Sequence, residues 1–130
     1  MGYSLKSLKA ELTSRQLADD GLVAWGQSST GANVGGFFGG AIGGAIGAAV
    51  TPMYAITMIR GSQIAIFPFT NKEIRYNEAY AFNRNNISQA KLSGLISKTL
   101  TIITTNGQKH KYPILQGAGD VKKILQTLGL

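Results

Sequence analysis

The chain has 130 residues, a length that suits one domain with a single self-supporting core. It carries 13 Lys and Arg against six acids, with one histidine and no cysteine, for a formal charge of +7. That inventory excludes disulfides, thiolate nucleophiles and thiolate metal sites, and leaves little material for acid–base catalysis.

Residues 4–18 read as an amphipathic helix capped by Ser4, with Leu5, Leu8 and Leu12 on one face. This opening stretch is neutral, since Lys6, Lys9 and Arg15 balance Glu11, Asp19 and Asp20. A secretory signal is not expected, because Lys6, Lys9 and Glu11 stand where its apolar core would be. Lys6 likewise occupies the position where a myristoylation start needs Ser or Thr. Residues 22–27 form a short apolar strand with Trp25 as its expected core anchor, ended by the turn cluster Ser28-Ser29-Thr30-Gly31.

Residues 21–59 contain no charged side chain and hold ten of the 17 glycines. Within this zone, 28–52 is a glycine-rich insertion in which Gly35, Gly39, Gly43 and Gly47 recur every four residues, placing them on one face of a helix. Phe37, Phe38, Ile42 and Ile46 would cover the opposite side. Three fates are open to it: a connection folded over its own domain or a self-association surface, a membrane-inserting or re-entrant element, or a loose loop. The apolar run 34–50 is 17 residues, or ~25 Å as helix, short of the ~30 Å hydrocarbon thickness.

Beyond it, residues 53–60 place Tyr54, Ile56 and Met58 on one side of a strand, Gly61-Ser62 offers a two-residue turn, and 63–68 returns as the partner. Residues 73–82 read as one strand carrying Ile74, Tyr76, Tyr80 and Phe82 on a single face, interrupted by Glu78. A weaker strand over 87–93 carries Ala90 and Leu92. Residues 100–105 and 108–114 flank Asn106-Gly107 as a hairpin, with Lys109 and Lys111 facing away from His110, Tyr112 and Ile114. A final helix begins at Gly119-Asp120, carries Val121, Ile124, Leu125 and Leu128 on one stripe, and closes at Gly129.

The expected fold is α+β and mostly antiparallel β: a seven-stranded open barrel or roll over 53–128 and the strand at 22–27, with an N-terminal amphipathic helix and a C-terminal capping helix in a single domain, 1–130. The strand order, the stretch Tyr-Ala-Ile-Thr-Met-Ile-Arg-Gly-Ser-Gln-Ile-Ala-Ile-Phe-Pro at 54–68, and the Asn-Gly hairpin followed by the helix resemble the pleckstrin-homology-like (PH-like) fold, particularly its small bacterial versions. A small α+β roll of another topology is the structural alternative. The resemblance implies that the insertion occupies the link between the first two strands, where lipid-binding members carry the Lys and Arg that grip phosphoinositides. Here that link is uncharged, which argues against specific phosphoinositide binding.

All of the +7 arises from Arg60 onward, and Lys72, Arg75, Lys109, Lys111, Lys122 and Lys123 are candidates for a basic surface. Tyr76, Tyr80 and Phe82 near Arg75 are better explained as core than as a base-stacking platform. His110 has no nucleophile motif beside it, and no metal or cofactor site is expected. The resulting expectation is a non-enzymatic binding or scaffolding module, cytoplasmic and peripheral to or inserted in the inner face of the membrane, contacting a membrane surface or protein partner through the glycine-rich insertion. A soluble homo-oligomer held by the glycine zipper is the alternative, and a nucleic-acid binder using the basic face ranks third. No small-molecule substrate is evident.

Overall fold

The structure, a computed structural model, describes residues 3–27, the backbone of 40–41, and residues 53–130. The expectations attached to Gly35, Phe37, Phe38, Gly39, Ile42, Gly43, Ile46 and Gly47 therefore lie outside the described residues.

Helix α1 spans Leu5–Ser14 and starts at a reciprocal cap: the Ser4 side chain accepts from the Ser7 N–H, and the Ser7 side chain accepts from the Ser4 N–H. It stops four residues short of the expected end. Gln16 takes a positive φ of 60°, and the Leu17 N–H bonds back to the Leu12 carbonyl at 2.9 Å. This is a left-handed helix terminus built without the glycine that usually marks one, so nothing in the local composition flagged it.

Two antiparallel sheets follow. The first has the order β1 (Val23–Gln27), β3 (Met53–Ile59), β4 (Gln63–Phe69), β5 (Tyr80–Asn83) and β2 (Gly40–Ala41). The second is β6 (Ile87–Ser93), β7 (Lys98–Thr104) and β8 (Lys109–Ile114). They are not closed into a barrel, but β1 reaches the end of β8 through a bridge between Trp25 and Gln116. Gly26 makes this approach possible, because a Cβ there would lie 1.7 Å from the Pro113 carbonyl oxygen. Gly40 and Ala41 pair with Ala81 and Tyr80, so the backbone at these two positions of the insertion is extended.

Strands β3 and β4 are buried on both faces, which alternation alone did not suggest. Tyr54, Ile56, Met58, Ile64 and Ile66 face a core shared with the second sheet and with helix α2 (Ala118–Leu128), whose Val121, Ile124, Leu125 and Leu128 are buried there. Ala55, Ala65, Phe67 and Phe69 face the other way, onto Leu8 and Leu12 of α1, both fully buried. One sheet thus separates two apolar clusters. Asp120 joins the pieces: its carboxylate accepts the Val23 N–H at 3.1 Å and pairs with Lys9 at 2.8 Å, tying α2 to β1 and α1.

Three local expectations are corrected. The β3–β4 turn uses three residues rather than two, with Arg60 and Gly61 both at positive φ (56° and 62°) and Ile59 paired with Gln63. Residues 73–82 are not one strand: Ile74 makes an isolated bridge to Phe69, and residues Tyr76–Glu78 form a 3-10 turn before β5. Ile74 and Tyr76 consequently belong to the α1-side cluster, whereas Tyr80 and Phe82 belong to the other. Trp25 is no core anchor. It is half-buried at the rim, edge-on to Phe69 at 6.0 Å, and its indole N–H donates to the Gln116 side chain at 3.0 Å.

The β7–β8 hairpin and α2 agree closely with their sequence signals. The turn is wider than a two-residue loop: only Gly107 takes a positive φ (88°), and the Thr104 N–H donates to the Gln108 carbonyl.

Candidate functional site

The second sheet has one buried and one open face, and the open face is where the candidate site lies. In β8, His110, Tyr112 and Ile114 are buried while Lys109 and Lys111 are exposed, as period-two alternation requires. In β6 the outward positions are Gln89, Lys91 and Ser93, opposite in parity to buried Ala90. Register then fixes the rows: Lys91 lies across from Thr101, which lies across from Lys111, and Gln89, Ile103 and Lys109 form the next row.

Three exposed lysines therefore share one face. Lys109 and Lys111 are ~7 Å apart along the strand, and Lys91 is two strands away, ~10 Å. These separations are comparable to the Debye length of ~8–10 Å, so the charges reinforce one another in the potential above the sheet. No acid offsets them: residues 79–119 contain Arg84, Lys91, Lys98, Lys109 and Lys111 and no Asp or Glu. The ion pairs found among the described residues, Lys9–Asp120, Arg15–Glu11 and Arg75–Glu78, all lie elsewhere.

The other basic candidates do not join this face. Lys122 and Lys123 are exposed on α2, across the core from the outside of the second sheet. Lys72 and Arg75 belong to the β4–β5 connection, where the Arg75 guanidinium is held by Glu78 at 3.0 Å. Lys91 was missed as a sequence candidate. Its only signal was its place between inward Ala90 and Leu92, and its partners two strands away become visible only through register.

Among the described residues are also two polar clefts. One, about 270 Å³, is lined by Ser62 and residues 83–86, but its Arg84 is occupied, donating through Nε to the Leu128 carbonyl at 2.7 Å and through Nη1 to that of Ile87 at 3.2 Å. The other, about 380 Å³, is formed by residues 73–78 around the Arg75–Glu78 pair. Neither brings a nucleophile to a base. Among the described residues no group of three His, Asp or Glu is placed to hold a metal ion.

His110 is packed against Phe82, ring centroids 5.2 Å apart, and burial lowers its pKa from the usual 6.5. Tyr80 and Tyr112 share a hydroxyl hydrogen bond of 2.9 Å, Tyr54 donates to the Pro113 carbonyl at 2.7 Å, and burial raises all three phenols above 10.0. Tyr3 and Tyr76 both donate to the Glu11 carboxylate, and they too are raised, by burial first and then by that carboxylate. These rings are structural donors rather than a stacking platform: the large apolar side chains found exposed among the described residues are Leu95, Ile96 and Leu115, none aromatic.

No family model, curated protein or solved structure matches this chain. Among the described residues no helix is long and apolar enough to cross a membrane.

Proposed function

We propose that this chain is a non-enzymatic PH-like binding module that associates with an anionic membrane surface. The observation that carries the reading is the open face of the β6–β8 sheet, where Lys91, Lys109 and Lys111 are exposed together and residues 79–119 hold no acid. Each lysine near an anionic leaflet contributes ~1 kcal/mol, so three on one face give an attraction of useful size without a phosphoinositide pocket. The PH-like assignment is supported by the antiparallel strands β1, β3, β4 and β5 followed by three more and a C-terminal helix, with the 28–52 insertion between β1 and β3. The insertion is proposed as a second contact element, apolar where the sheet face is cationic.

The test is flotation of the full chain with vesicles of phosphatidylcholine alone and of phosphatidylcholine mixed with phosphatidylserine, repeated across a salt series. Binding confined to the anionic vesicles and weakened by salt is expected. Absence of binding to either vesicle would overturn the reading.

A further inference from the structure

The sheet that presents the lysines also ends in an unusual hairpin. Between β6 and β7, residues 94–97 (Gly-Leu-Ile-Ser) expose Leu95 completely and Ile96 to 98%. Two adjacent large aliphatic side chains held fully in water are not what a tight loop needs, since turns are built from small and polar residues. Leu115 is 57% exposed, and it directly follows Ile114, which pairs with Lys98. Register therefore brings all three to the same end of the sheet.

The loop does not fold these side chains inward because its backbone is fixed. Gly94 has φ 114°, and a Cβ there would stand 1.9 Å from the Ser97 carbonyl oxygen, so the two ends of the loop are in direct contact. The Lys98 ammonium donates to the Gly94 carbonyl at 2.7 Å, clasping the loop from outside. A rigid apolar tip loses little conformational freedom on burial, which favours insertion into another phase.

Charge decides which phase. The strands carrying the tip contribute Lys91 and Lys98, their neighbour contributes Lys109 and Lys111, and no acid lies within residues 79–119. An apolar tip in a purely cationic setting matches a bilayer interface, with acyl chains beneath and anionic headgroups around it. We infer that Leu95 and Ile96, with Leu115 beside them, form an insertion tip that enters the acyl region of an anionic bilayer while the lysines of the same sheet engage headgroups. This rests on the membrane reading above and adds to it a penetrating element.

The experiment uses the natural absence of cysteine. Full-length chain with Leu95→Cys, and a control with Gln126→Cys on the exposed side of α2, are each labelled with an environment-sensitive fluorophore and mixed with phosphatidylcholine/phosphatidylserine vesicles. The label at 95 should shift to the blue and be quenched by acyl-chain nitroxide lipids, while the label at 126 stays water-like. In parallel, the double variant Leu95→Ser with Ile96→Ser should bind the same vesicles at least about tenfold more weakly with unchanged folding, since neither side chain packs against the protein. If the chain binds these vesicles but the label at 95 stays water-like and the double variant binds as wild type, the tip is wrong and the membrane reading stands. If wild type binds no vesicle, both fall. If the double variant instead abolishes self-association seen by light scattering, the tip's occupant is a second copy and the inference is overturned.

Discussion

The two sheets are built from similar strands and used differently. Strands β1, β3, β4 and β5 contain no charged residue at all, whereas β6, β7 and β8 contain four lysines. The difference follows from what covers each. Helix α1 lies over one face of the first sheet and the shared core lies under the other, so a lysine on β3 or β4 would have to be buried. The second sheet has the core and α2 on its inside and no described element on its outside, so Gln89, Lys91, Lys109 and Lys111 meet solvent around the buried Thr101 of the central strand. The covered sheet supplies stability, and the half-open one supplies a surface.

The largest effect is expected for Leu12→Ala, which removes a fully buried side chain of α1 from the cluster on the outer face of the first sheet. A loss of ~2–5 kcal/mol in denaturant unfolding is expected, against a few tenths for Lys91→Gln on the open sheet. Gly26→Ala comes next. Its methyl would collide with the Pro113 backbone, so β1 must move off β8 at a cost of ~1–3 kcal/mol or more, checked by unfolding and by faster hydrogen exchange at Trp25 and Leu115.

Titration gives a smaller, signed effect. The pKa of His110 is lowered in the folded chain, so the unfolded state binds the proton first. Stability should be full above the ordinary value of 6.5 and should fall as pH drops below it, and His110→Phe should flatten that limb. The tyrosines act at the other end. All five are raised above 10.0, so their stabilising contribution is present below pH 10.0 and declines as pH rises past it. Phenolate absorbance should therefore stay low at pH 10.0 and rise together with unfolding, and early ionisation of several tyrosines in the folded chain would contradict their burial.

Elements with strong local signals were legible in the sequence. The alternation of residues 109–114, the Asn106-Gly107 turn and the stripe of Val121, Ile124, Leu125 and Leu128 each agree with the fold because local pattern and tertiary burial point the same way. What depends on distant partners was not. The two-sided burial of β3 and β4 requires α1, which is distant in sequence, and Trp25 looked like a core anchor until Gln116 and Phe69 held it at the rim. The candidate site shows the same division. Lys109 and Lys111 could be assigned to an outer face from alternation, whereas Lys91 joined them only through pairing across β7. Leu95 and Ile96 look like core residues by composition, and only the position of the hairpin turn exposes them.

If the proposed membrane contact is made by the open face of the second sheet, and not by the net charge of the chain, the position of the lysines must matter more than their number. Two triple variants of equal charge decide it: Lys91, Lys109 and Lys111 all to Gln, against Lys6, Lys122 and Lys123 all to Gln, which are exposed on the two helices. Affinity for phosphatidylserine-containing vesicles should fall about a hundredfold for the sheet triple, at ~1 kcal/mol per lysine, and only a few-fold for the helix triple. Equal losses for the two would contradict a contact localised to this face and leave only a diffuse cationic exterior.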